Sequence, residues 1–104
     1  MTVIKAHIYT GLQEATNNII KALKTRLLGF AIELISDPLD ADIIVTRPEY
    51  IHYYTDYAIL VLTDSSDSFD SYENVVDYSP FPLTDDDYSR LEFRLVTTAN
   101  SIRD

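Results

Sequence analysis

Polar and apolar residues alternate over Thr2–Tyr9, with Val3, Ile4, Ala6 and Ile8 apolar, which predicts a first β-strand. Beyond Thr10 the period lengthens. Leu12, Ala15, Ile19, Ala22, Leu23 and Leu27 recur at helical spacing and predict a helix over 11–28. Thr10 and Gln13 have the Thr-x-x-Gln spacing of a capping box, which satisfies amides left open by a first helical turn. Lys24 and Arg26 suit the negative end of the helix dipole, and Gly29 stands where a C-terminal cap is expected.

Further strands are expected over 30–35, 42–46 and 57–62, with a shorter one over 74–79. Ile43-Ile44-Val45 and Ala58-Ile59-Leu60-Val61-Leu62 are nearly unbroken apolar runs, as in strands buried on both faces. Thr84 is the expected cap of a final helix. Asp85, Asp86 and Asp87 fill its first turn, where the dipole favours acids, and its inward stripe reads Tyr88, Leu91, Leu95, Ala99, Ile102. The order strand, helix, four strands, helix belongs to the α/β class, in one domain spanning 1–104.

One connection is short. Six residues, Ser-Asp-Pro-Leu-Asp-Ala, separate Ile35 from Asp42, fewer than the ~10–12 of a helical crossover. Either an extended loop crosses over, or Asp37-Pro38-Leu39-Asp40 turns a hairpin and the third strand runs antiparallel. The stretch from Arg47 to Asp56 is equally short, and Pro48 hinders a helix there. Loops are expected in place of middle helices.

Composition narrows the function. The 104 residues carry 17 acids against 8 Lys and Arg, a net charge of −9, with 46% hydrophobic residues and no cysteine. That core content is normal for a folded domain, while the acidity argues against direct nucleic-acid binding through phosphates and against anionic membranes. Disulfides, thiolate nucleophiles and cysteine-ligated metals are excluded. No secretory signal core is visible near the start, and no apolar run approaches the ~18 residues of a membrane span, so a cytoplasmic chain without membrane insertion is expected.

The charge is uneven. Residues 1–30 hold Lys5, Lys21, Lys24 and Arg26 against Glu14, a net of +3. Residues 31–89 hold fourteen acids against Arg47 alone, a net of −13, and the tail from Arg90 is +1. Seven of the eight tyrosines (Tyr50, Tyr53, Tyr54, Tyr57, Tyr72, Tyr78 and Tyr88) fall in the acidic stretch. An acidic surface with interleaved Tyr suits a protein partner.

Ala41-Asp42-Ile43-Ile44-Val45-Thr46, Ala58-Ile59-Leu60-Val61-Leu62-Thr63 and Asp77-Tyr78-Ser79-Pro80-Phe81-Pro82 resemble the third, fourth and fifth strands of a response-regulator receiver domain. The resemblance implies a mostly parallel five-stranded sheet in the receiver or flavodoxin-like order 2-1-3-4-5. Receivers carry an acidic pair after the first strand, where Tyr9 and Thr10 stand, and a phospho-accepting Asp after the third, where Arg47 stands. Thr63 matches the family's Thr/Ser, but Phe81 takes the place of its Lys. Without those carboxylates, neither a Mg²⁺ ion nor an acceptor for a phosphoryl group is provided. The chain is therefore similar to the α/β/loop domain of Rcs-type phosphorelay sensor proteins, which contributes contacts and performs no chemistry.

Other chemical signals are weak. Asp64, Asp67, Asp70 and Glu73 recur every third residue, without the alternate-residue spacing or central Gly of an EF-hand. His7 reads as a structural residue of the first strand and His52 as an exposed loop residue. No Gly-x-Ser-x-Gly elbow is present, and two glycines allow neither a P-loop nor a dinucleotide fingerprint. A small-ligand site at the strand ends after Tyr9, Thr46 and Thr63 is disfavoured for phosphate-bearing cofactors by the acids there.

The expectation is a non-catalytic interaction module without cofactor or metal, docking a response-regulator receiver or histidine-phosphotransfer domain. Its expected binding edge contains Tyr78, Phe81, Asp85 and Tyr88, with the loop carrying Tyr50, Tyr53 and Tyr54 as the alternative. The rival from another class is an acidic DNA-mimic or decoy, of the viral anti-restriction type, that occupies a nucleic-acid-binding protein.

Overall fold

The computed structural model describes residues 2–64 and 72–103. Among these, five strands form one sheet: β1 (Ile4–Tyr9), β2 (Ile32–Ile35), β3 (Ile43–Thr46), β4 (Ala58–Thr63) and β5 (Val75–Pro80). Helix α1 spans Gln13–Leu23 and α2 spans Asp85–Arg103. The sheet order is β2-β1-β3-β4-β5, and every pairing is parallel. No described helix is long and apolar enough to cross a membrane.

The parallel β3 removes the hairpin alternative. From the end of β2 the chain must pass over β1, about 10 Å sideways, and return about 10 Å along the strands. Six linking residues reach roughly 20 Å when extended, so no helix is needed. The link instead makes one 3₁₀ turn, Pro38–Asp40, with Asp37 Oδ1 accepting the Leu39 amide at 3.0 Å. Asp42 then locks onto β1: its amide donates to the Lys5 carbonyl at 2.7 Å and its carboxylate accepts the Lys5 amide at 2.9 Å.

Crossover handedness decides what covers each face. Right-handed β1→β2 and β2→β3 connections move in opposite directions along the sheet, so they fall on opposite faces. α1 and α2 share one face, and fourteen described buried residues form its core, including Ile8, Leu23, Val45, Leu60, Leu62, Leu91 and Leu95. The other face has a second, smaller cluster of four, Ile44, Ile51, Ile59 and Val61, covered by the 3₁₀ helix Pro48–Tyr53. Pro48 opens that helix, where its missing N–H does no harm.

The helix ends depart from the sequence reading. Thr10 does not cap α1. Leu12 occupies the N-cap without a side-chain bond, and the Thr10 hydroxyl is instead paired with Thr16 Oγ1 at 2.8 Å. The α-helix stops at Leu23 rather than near residue 28, followed by a turn and a 3₁₀ segment, Leu28–Phe30. Gly29 is not the left-handed residue; Ala31 is, at φ 55°, and β2 consequently starts at Ile32. Two interactions hold Ala31 there: its carbonyl accepts the Ile4 amide at 3.0 Å and the Arg103 guanidinium at 2.7 Å. Ile102, expected inward, is 42% exposed beside Val76 of the edge strand β5.

Thr84 stands before α2 as expected, but its hydroxyl donates to Asp87. Asp87, at the third helical position, accepts the Thr84 amide at 2.9 Å and the Thr84 hydroxyl at 2.8 Å. These two bonds, aided by nearby Arg90, hold its carboxyl below the usual carboxylate range. At the sheet edge, the Tyr78 amide donates to Asp77 Oδ1 and its carbonyl accepts from Arg94, which also pairs with Asp77. The central peptide group of β5 is thus occupied by side chains, which guards the edge against a further strand.

Candidate functional site

The carboxyl ends of parallel strands are where loops can gather side chains without disturbing the sheet. Here β1, β3, β4 and β5 deliver Tyr9, Arg47, Asp64 and Phe81 to that end. Thr46 Oγ1 donates to the Tyr9 carbonyl at 2.7 Å, tying β3 to β1 at the rim. Arg47 is drawn inward. Its guanidinium lies 4.4 Å from the Phe81 ring centroid and donates to the Leu62 carbonyl at 3.2 Å. Glu49 at 3.7 Å and Asp64 at 4.0 Å neutralise it, and its side chain is 16% exposed. Cation, ring and backbone carbonyl thereby close the middle of the rim.

Beside this closure stands an aromatic ridge. Tyr50 meets Tyr9 edge-on at 4.9 Å, faces Tyr53 at 6.3 Å with a 28° tilt, and His52 leans on Tyr53 at 4.1 Å. A 3₁₀ helix has three residues per turn and rises ~2.0 Å per residue, so positions 50 and 53 are superposed about 6 Å apart. The short crossover therefore sets the ring spacing. Gly11 makes the inner end possible: at φ +83° it adopts a conformation costly for other residues, and a Cβ there would collide with the Tyr50 ring.

The structure distributes the expected residues differently from the chain order. Phe81 and Tyr88 come together against α1, lining a cleft of about 120 Å³ with Ile19 and Leu83, and Asp85 is exposed one turn before Tyr88. Tyr78 is not with them; it packs across the sheet against the Ile44–Ile51–Ile59–Val61 cluster. Tyr50 and Tyr53 share the ridge. Tyr54 turns away to pack on that same cluster and meets Tyr57 at 6.1 Å. Burial, with Tyr9 and Tyr57 nearby, pushes the Tyr54 phenol up.

Two exposed rings escaped the sequence reading, one at the rim and one away from it. Tyr9 was a strand residue in an alternating pattern, and nothing local marked it as the ridge's inner support. Phe93 is 70% exposed on the outer side of α2, in a groove of about 490 Å³ with Asp77, Ser89, Arg90 and Arg94. Its place outside the apolar stripe was the available signal. The polar groups Asp77 and Arg94 in that groove are committed to each other and to Tyr78.

His7 is half-buried, with Nδ1 3.1 Å from the Ile35 carbonyl, bracing β1 against β2. Of the acidic series, Asp67 and Asp70 lie outside the described residues, and Asp64 and Glu73 are exposed. Among the described residues, no three His, Cys, Asp or Glu side chains gather as a cation site. No protein-family model, curated protein or solved structure matches the chain.

Proposed function

We propose that this chain is a non-catalytic, receiver-like docking module of a phosphorelay, which binds a response-regulator receiver or histidine-phosphotransfer domain at the carboxyl end of its sheet. One observation carries the reading. At the rim position where a receiver needs a phospho-accepting carboxylate, Arg47 is folded beneath Phe81 and neutralised by Glu49 and Asp64. A guanidinium there cannot accept a phosphoryl group, and its stacking on Phe81 leaves the pair as packing. What remains at this end for a partner is aromatic and acidic: Tyr9 and Tyr53, 40% and 69% exposed, with exposed Glu49, Asp85 and Asp86.

Such a surface combines rigid rings with charge that steers a basic partner face. The test is an NMR titration of the labelled full chain with a panel of receiver and phosphotransfer domains. Salt-sensitive shifts centred on residues 9, 47–53 and 81–88 are expected; a panel that moves no resonance overturns the reading. Radiolabel retained from acetyl phosphate and Mg²⁺ would contradict the non-catalytic part separately. Displacement of DNA from a nuclease or repressor would replace the relay with the decoy.

A further inference from the structure

The ridge at the rim is spaced for one kind of group. Tyr50 and Tyr53 sit one 3₁₀ turn apart with their rings 28° from parallel and their centroids 6.3 Å apart. A flat group held between two ring faces at van der Waals distance needs about 7 Å. The inner jaw is fixed, because Tyr9 abuts Tyr50 edge-on and Gly11 lies against its hydroxyl end. The outer jaw, Tyr53, is 69% exposed and stands against His52 at 4.1 Å, and it must part from Tyr50 by less than an ångström to admit a flat group.

Charge selects among flat groups. Glu49 and Asp56, both exposed, flank the turn in the chain, and Arg47 is already committed to Phe81, Glu49, Asp64 and the Leu62 carbonyl. In sequence, the turn lies within residues 31–89, whose net charge is −13. A nucleotide would bring phosphates into that acidic stretch, and an ammonium has no flat faces to offer two rings. A guanidinium is planar, cationic and weakly hydrated, and it stacks on aromatic faces. The molecule already uses that pairing once, in Arg47 over Phe81.

We infer that the Tyr50–Tyr53 turn is a seat for an arginine side chain presented by the docking partner. This rests on the docking reading above and adds to it the chemistry of the anchor. The probe is the tripeptide acetyl-Gly-Arg-Gly-amide, titrated into the full chain to its solubility limit while the ring protons of Tyr50 and Tyr53 are followed. Saturable shifts at both rings are expected. The same peptide with citrulline, flat but uncharged, should bind about fivefold more weakly, as should the arginine peptide to Tyr53→Ala. Tyr53→Phe should bind as the parent does.

Because Tyr53 is largely exposed, Tyr53→Ala should keep the parent's spectrum away from the turn, which separates loss of the jaw from loss of the fold. Absent shifts, an equal response to citrulline, or an unchanged affinity in Tyr53→Ala overturns the seat. The two readings fail separately. A receiver that binds parent and Tyr53→Ala alike keeps docking and removes the arginine seat. A peptide response without any binding receiver or phosphotransfer domain does the reverse.

Discussion

The two faces of the sheet are built from neighbouring residues of the same strands yet are covered in opposite ways. On β4, Leu60 points to the helices and Ile59 to the 3₁₀ cover, and both are fully buried. The helical face buries a long interlocking layer, whereas the other is sealed over a small patch by six residues and its tyrosines. The lesson is a division of labour. Two helices close a core of fourteen described residues to which the strands contribute most, and the short crossovers leave backbone and aromatic side chains at the rim.

The comparison breaks most easily at β4. Leu60→Ala should cost toward the upper end of about 2–5 kcal/mol, and Ile59→Ala toward the lower end, because the thinner cover can collapse into the vacated space. Urea unfolding of the pair measures the gap, and equal losses would refute the asymmetry. Gly11→Ala should come next, at about 2 kcal/mol, from a left-handed backbone and collision with Tyr50. Its signature is a changed Tyr50 ring environment with the helical face undisturbed, visible in side-chain NMR spectra.

Acid acts on the helical face through Asp87. Its folded carboxyl titrates below the ordinary value of 3.8, so the folded state binds that proton less readily than the unfolded chain does. The stabilisation is complete above about pH 5 and disappears as pH falls through the folded value. Asp87→Asn should flatten the acid limb of a Tm-against-pH curve below that point; an unchanged limb would show that Thr84 does not hold the carboxylate. The smallest effect belongs to Ser79, whose buried hydroxyl has no hydrogen-bond partner among the described residues. Ser79→Ala should leave stability unchanged or raise it by up to about 1 kcal/mol in thermal unfolding.

Much of the fold was legible because burial on two faces writes itself locally. Ile43–Val45 and Ala58–Leu62 announce buried strands, and the helical spacing of Leu91, Leu95 and Ala99 announces a helix lying on them. The α/β class and the order 2-1-3-4-5 agree with the expected fold. Helix ends were less legible. Thr10-x-x-Gln13 satisfies a capping rule, yet Thr16 competes for the same hydroxyl, and Gly29 lost the left-handed position to Ala31 because Arg103, 72 residues further on, holds the Ala31 carbonyl.

By itself, the sequence determined the class, the strands, the presence of both helices and the concentration of acids in residues 31–89. Periodicity and residue identity are local properties of the chain. The tertiary structure alone decided that β3 runs parallel, that Tyr78 and Tyr88 part to opposite faces, and that Tyr9 backs Tyr50. Those outcomes depend on crossover reach and handedness, which fix what meets in space between residues tens of positions apart.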